Sequence, residues 1–218
     1  AGNIKKDLFY SRARNYGSAF ESAMFHENVP VEVYGNLINA VHDNLSPLYK
    51  YFGLRKRILG LDALHVYDTS VPLVKDFKWR MDYPEAVEKT LASLVPLGKD
   101  YVDVLRKGLT EDRWVDRYEN KGKRSGAYSS GCYDSNPFIL LNYRDDSINS
   151  LYTLTHEAGH SMHSYYSRMA QPYVYSDYTI FVAEVASTFN EALMTQYLLG
   201  QKPDKDMEIY LVCREIIT

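Results

Sequence analysis

His156-Glu157-Ala158-Gly159-His160 is an HExxH run inside a stretch that reads as a helix. On a helix, residues four apart share a face, so both imidazoles can reach one metal ion. Glu157 directly follows the first imidazole, where it can hold a water on that ion and take its proton. The chemistry indicated is hydrolysis by a metal-activated water. The plain alternative is a solvated helix carrying incidental His and Glu.

Two histidines leave a catalytic zinc site short of a ligand, since such sites usually have three protein ligands plus water. A third His would require the longer HExxHxxGxxH pattern. Here His160 is followed by Ser161-Met162-His163, and Tyr166 stands where that His would fall. The other source is a following helix. Asp177, Glu184 and Glu191 recur every seven residues, which places them on one face. The flanking Phe181, Val182, Val185, Ala186 and Phe189 are apolar, so this helix is expected to be largely buried. A carboxylate in such surroundings is costly unless paired or metal-bound. Glu184 follows His160 by 24 residues, enough for a turn and a helix packing back antiparallel. The expected site is therefore one Zn²⁺ per chain on His156, His160 and Glu184, with Glu157 as catalytic base.

Glu191 lies two turns beyond Glu184, about 10 Å along the axis. It cannot ligate the same ion, but it can accept the second N–H of a ligand imidazole, as zinc histidines usually require. Asp177 is a further candidate for that role. His163 also faces the ligand side. It is too far from His156 to join both as a ligand, and is expected to be a buried, hydrogen-bonded histidine in a supporting position.

The elements that must hold these residues are mostly helices. Asp7 to Glu27 reads as one helix, and Asn28-Val29-Pro30 ends it, with Pro30 suited to the first turn of the next. Val33, Leu37, Ile38, Val41 and Leu45 continue at helical spacing, and Ser46-Pro47 marks a kink or fresh start before helix runs on to about Leu59. Arg55-Lys56-Arg57 reads as a solvated face. Residues 61–78 are irregular. Asp82-Tyr83-Pro84-Glu85 looks like a cap with Pro in the first turn, opening helix to Lys107 with an interruption at Pro96-Leu97-Gly98. Thr110 to Ser125 is polar and loop-like. Gly126 to Ser129 and Phe138 to Tyr143 read as short strands, joined by a turn at Asp134 to Pro137. The HExxH helix spans Asn149 to about Arg168. After Gln171-Pro172, a last long helix runs from about Tyr178 to Leu199 and Gly200 stops it. The expected fold is mainly α and zincin-like, a helical bundle with a small hairpin and edge strand beside the zinc helix. Residues 1–110 form a helical region, and residues 111–218 hold the strands and the two ligand-bearing helices.

Composition narrows the function classes. A formal net charge of -3 leaves no basic footprint for nucleic acid. No apolar run approaches membrane-spanning length, so no membrane partner is expected. Cys132 and Cys213 are neither a metal-spaced pair nor a disulfide scaffold, and a reducing cytoplasm is the default compartment. Twenty tyrosines fit either packing with a polar tip in water or a peptide-binding cleft.

Three segments resemble the oligoendopeptidase F branch of the thimet oligopeptidase family. They are Leu151 to Ser164 around HExxH, Phe181 to Leu193 around Glu184, and Lys123 to Ser129 followed by Asn136 to Tyr143. Leu64-His65-Val66-Tyr67-Asp68 and Trp114-Val115-Asp116 fit as well, so the resemblance covers most of the chain in order. It implies a zinc endopeptidase that cuts short peptides in a channel between two helical halves. It carries over His156, His160 and Glu184 as ligands and Glu157 as base. It also implies that Gly126, Ala127, Tyr128 and Ser129, within the segment from Gly126 to Gly131, lay an edge strand against the substrate; such pairing reads length and direction with little demand on side chains.

Members of that family are much longer. Residues 1–218 are accordingly expected to be one partial catalytic domain, with the missing N- and C-terminal parts of the same peptidase as partners. The Tyr and His residues that stabilise the transition state are expected beyond Thr218, so the 218 residues alone should hydrolyse peptides poorly. Tyr128 and the tyrosines from Tyr175 to Tyr178 are the substitutes within the chain. The rival readings are a non-catalytic zinc module that binds peptides or a partner, and a helical interaction protein without metal.

Overall fold

The computed structural model describes residues 2–75 and 77–217. The chain divides into two compact units, Ala1–Lys75 and Asp76–Thr218.

The first unit is built from α1 (Gly2–Ala13), α2 (Ala19–His26), α3 (Val31–Asp43) and α4 (Leu45–Leu59). The single helix expected from Asp7 to Glu27 is two. Asn15 takes a left-handed φ of 63°, and Ser18 caps α2 by accepting the N–H of Glu21 at 2.9 Å. The Glu21 carboxylate accepts the N–H of Gly17 in return, at 2.8 Å. Short polar side chains here offer the backbone a better partner than a continued helix. Pro30 stands just ahead of α3 rather than in its first turn. Ser46-Pro47 lies in the first turn of α4, a fresh start, and Gly60 closes α4 at φ 66°. The Arg55 to Arg57 run is not wholly a solvated face. Arg55 is buried, and its guanidinium donates to the carbonyls of Asp68 and Val71 and to the Tyr51 hydroxyl.

The second unit carries every candidate site residue. α5 (Tyr83–Ser93) opens as expected, with the Asp82 carboxylate accepting the N–H of Glu85 at 2.9 Å and Pro84 in the first turn. A short 3₁₀ turn at Val95–Leu97 interrupts before α6 (Lys99–Thr110). Three short strands follow: β1 (Val115–Asp116), β2 (Tyr128–Ser130) and β3 (Phe138–Leu140), in the order β1-β3-β2. β1 runs parallel to β3, pairing Val115 with Ile139 and Asp116 with Leu140. β2 runs antiparallel to β3, pairing Tyr128 with Leu140, Ser129 with Ile139 and Ser130 with Phe138. The polar surroundings of β1 read as loop, because two residues that pair with a strand over twenty positions away leave no local signal.

The remaining helices are α7 (Ile148–Ala170), α8 (Ile180–Gly200) and α9 (Lys205–Ile217). Leu91 and Leu94, with Leu105, Leu151, Leu154 and Met194, are fully buried in one apolar cluster between α5, α6, α7 and α8. Polar ties fix the register within it. Asn190 donates to the carbonyl of Thr155 at 3.3 Å, and Tyr152 and Thr195 share a hydrogen bond of 2.8 Å. As these α7 partners step back along the chain, their α8 partners step forward, so the two helices run antiparallel as the spacing anticipated.

α8 is buried on one face alone. Ala183, Ser187, Asn190, Met194 and Leu198 turn inward, whereas Phe181, Val182, Val185 and Phe189 are exposed. The expectation of a largely buried helix is therefore corrected. Apolar composition marks a face able to be covered, and among the described residues only the face toward α7 and its neighbours is. Asp177 precedes α8 rather than riding on it, because the helix begins at Ile180.

Candidate metal centre

The two imidazoles of α7 converge through their Nε2 atoms, which lie 3.1 Å apart. Glu184 brings Oε2 to 3.4 Å from each of them. These three side chains offer donor atoms that all fall within 4.8 Å of one another. Glu184 is half-exposed, with 54% of its side chain accessible, so burial is not what forces its carboxylate onto a partner. Its direction comes from Ser187, one turn further along α8, which donates its buried hydroxyl to Oε2 at 2.8 Å. Gly159 permits the approach. A Cβ there would meet backbone atoms of Ala186 and Ser187 at 2.6 to 2.9 Å.

The back of the pair is held by α8 and α9. Nδ1 of His156 lies 2.7 Å from Oε1 of Glu191. Hydrogen bonds from His156 and from Arg214, which is 2.6 Å from Oε2, outweigh burial and hold the Glu191 carboxyl below the usual range. An ionised carboxylate only accepts, so His156 donates from Nδ1, and in the neutral ring that tautomer leaves the Nε2 lone pair facing the triad. The bond to Glu191 raises the proton affinity of His156 against the opposing effect of burial. His160 moves the other way, lowered by burial and by the neighbouring His156, and it is also hydrogen-bonded to the backbone of Ala183. A neutral His160 is the form able to bind a cation.

Glu157 is buried, 6% exposed, on the neighbouring face of α7. Burial raises its proton affinity, His156 opposes this and Glu184 adds to it, while a backbone hydrogen bond from Ser129 favours the carboxylate. Its Oε2 is buried without a hydrogen-bond partner among the described residues. A buried carboxylate oxygen left unpaired is costly.

The strand segment sits beside this helix. Glu157, Ser161 and Arg168 line one face of α7 and tie β2 along it. Glu157 takes the backbone bond of Ser129, Ser161 shares a hydroxyl bond of 2.8 Å with Ser129, and Arg168 donates to the carbonyl of Gly131 at 2.9 Å. β2 pairs with β3 on one side only, so its other side is the edge of the sheet. Gly126 enters the strand at a φ of 91°, a conformation L side chains rarely adopt, and Asn142 donates to its carbonyl at 3.0 Å. Ala127 is partly buried and Tyr128 is half-exposed.

His163 takes a different place from the triad. Its ring stacks on Tyr178 with centroids 3.7 Å apart, burial lowers its proton affinity, and its Nδ1 is buried without a hydrogen-bond partner among the described residues. Three contributors escaped the sequence reading. Ser187 lay three residues after Glu184, a spacing that could have flagged it. The Ser129 amide and Arg214 act across the fold and left no local pattern.

Comparison with known proteins follows the same lines. The signature of "Peptidase family M3" matches residues 2–214. The chain is 51% identical to "Oligopeptidase PepF" of Bacillus subtilis over 97% of its own length and 31% of that protein. A crystal structure of a Chlamydophila abortus protein superposes with a TM-score of 0.83 at 45% identity, over 98% of this chain and 35% of that one. The crystal structure of oligoendopeptidase-F from Enterococcus faecium superposes with a TM-score of 0.60 at 30% identity, over 97% of this chain and 29% of that one. The chain thus spans about a third of the length of the relatives it matches.

Proposed function

This chain belongs to peptidase family M3, and we propose that it carries the zinc centre of an oligopeptidase, which hydrolyses short peptides with a metal-activated water. The observation that carries this reading is the triangle of donor atoms. Ligand atoms bound about 2.0–2.1 Å from one tetrahedral Zn²⁺ stand about 3.3 Å apart. The separations here are 3.1, 3.4 and 3.4 Å. Two imidazole nitrogens and one carboxylate oxygen are also a donor set typical of catalytic zinc, which keeps its fourth position for water or substrate.

His156, His160 and Glu184 would hold the ion, one per chain. A Zn²⁺ bound there polarises the scissile carbonyl and lowers the pKa of water. Glu157 takes the proton of the attacking water and returns it to the leaving amine. The environment supports this role, because burial shifts its carboxyl toward neutrality, as a base that must also give its proton back requires. Glu191 keeps His156 in the tautomer that can bind. The edge strand β2, from Gly126 through Ala127, Tyr128 and Ser129, pairs with the backbone of an extended peptide. His163 has a supporting position on the ligand helix, stacked on Tyr178. The chain is the metal-binding part of a longer cytoplasmic peptidase whose remaining segments complete the channel and stabilise the transition state.

The test is metal analysis of the purified protein together with hydrolysis of quenched-fluorescence peptides by its longest natural form. One zinc per chain, lost in His156→Ala and Glu184→Ala, with peptide cleavage abolished by chelation, supports the reading. A folded protein that binds no zinc overturns it. Zinc without any cleavage transfers it to a non-catalytic peptide-binding module.

A further inference from the structure

We infer that Arg214 is a positioning residue of the metal centre, acting through Glu191 on His156. This rests on the zinc reading of the triad. The Glu191 carboxylate is bridging, with one oxygen for each partner. Oε1 lies 2.7 Å from Nδ1 of His156 on α7, and Oε2 lies 2.6 Å from a terminal guanidinium nitrogen of Arg214 on α9. Both charged side chains are mostly shielded from solvent, Arg214 at 14% exposure and Glu191 at 18%, so the pair is little screened by water.

Arg214 is itself held against the helix that carries the ligands. Its guanidinium carbon lies 3.4 Å from the ring centre of Tyr152, which is 1% exposed. Tyr152 precedes His156 by four residues and so occupies the same face of α7. The Tyr152 hydroxyl bonds Thr195 at 2.8 Å, Thr195 donates to Glu215 at 2.6 Å, and Glu215 lies 3.7 Å from the other terminal nitrogen of Arg214. The cation thus has a fixed seat on the surface from which His156 projects.

The consequence follows from torsional freedom. The ring torsion of His is broad, so the ring plane is set by what Nδ1 bonds rather than by the rotamer alone. Glu191 has three rotatable side-chain bonds, and a single bond to His156 would not fix them. The second bond, to Arg214, does. Glu191 then aims Oε1 at His156, and the ring aims Nε2 at the 3.1 Å meeting with His160. α9 is joined in this way to metal affinity, although none of its described residues is among the triad's donors.

The experiment compares zinc affinity of the full chain, by competition with a chromophoric chelator, for the native sequence, Arg214→Met, Arg214→Lys, Glu191→Ala and the double variant Arg214→Met/Glu191→Ala. Co²⁺ absorption and thermal unfolding are measured on each. Arg214→Met should weaken zinc about tenfold, the lower range for removing a group behind a ligand. It should also broaden the Co²⁺ bands. Arg214→Lys should recover most of the affinity. The double variant should bind within about twofold of Glu191→Ala, since the pathway is already cut. Unchanged affinity in a folded Arg214→Met protein overturns the inference, and so does an additive loss in the double variant. If Arg214→Met does not fold, Arg214→Gln decides, since its shorter, uncharged side chain cannot replace the ion pair with Glu191: weakened zinc and broadened Co²⁺ bands in a folded protein support the inference, and native affinity with a native spectrum overturns it. A native chain that binds no zinc would instead refute the reading of the triad.

Discussion

A Cβ on Gly159 of α7 would lie 2.6 Å from the Cα of Ser187 on α8. The clash is with backbone, which cannot swing aside as a side chain can. Ser187 directs Glu184, so the glycine between the two ligand histidines also sets how close the third donor comes. Gly159→Ala should push α8 outward, weaken zinc binding at least tenfold and cost about 1–3 kcal/mol, as overpacking of a close contact does. Zinc titration and denaturant unfolding check both parts. Native affinity in Gly159→Ala would show that the helices can part without moving Glu184.

Glu157→Gln tests the base without disturbing the ligands. The amide oxygen can still accept from Ser129, so the fold should hold and zinc should remain bound. In the full-length enzyme kcat should fall at least about 100-fold. Metal content and turnover are measured on the same sample. Near-native turnover in a zinc-loaded Glu157→Gln enzyme would remove Glu157 from the reaction.

Backbone pairing by β2 predicts a response that side-chain recognition would not give. A peptide substrate methylated at one backbone nitrogen after another should lose affinity at alternate positions, because successive N–H groups of a strand point to opposite sides. KM should rise several-fold at those positions in the full-length enzyme. A flat scan would mean that the peptide is not held as an added strand.

The buried tyrosines set an alkaline limit on stability. Burial pushes Tyr83 and Tyr101 up to about 12, opposed by Arg117 at the first and by the Asn190 bond at the second. In the unfolded chain a tyrosine ionises near 10. The folded state therefore binds these protons more tightly, and their contribution is fully present below about pH 10 and is lost as pH rises through about 12. Phenolate absorbance and helical circular dichroism followed together should show a late group of tyrosines that ionises only as the helices melt. Reversible ionisation of all tyrosines near pH 10 in a folded protein would contradict the burial.

Local pattern sufficed wherever chemistry and secondary structure share a period. The i,i+4 spacing of His156 and His160 placed both rings on one helical face, and the buried stripe of Leu151, Leu154, Ala158 and Met162 orients that helix. The 24-residue interval to Glu184 allowed a return helix, and the interval to Glu191 matched the reach to a ligand ring. The cap at Asp82 and the turn before Phe138 were also legible, because capping and turn chemistry act over three or four residues.

Tertiary structure decided what depends on which distant surfaces meet. The reason given by sequence for Glu184, burial among apolar neighbours, does not hold, since Phe181, Val185 and Phe189 face outward and Ser187 directs the carboxylate instead. Pairing of β1 with β3, the Ser129 amide on Glu157 and Arg214 behind Glu191 join residues with no common period along the chain. Sequence alone thus determined which side chains could act together on one helix. The close α7–α8 contact at Gly159, the edge strand along α7 and the seat of α9 determined which of them do, because those contacts follow from packing of whole elements and carry no signature within any one of them.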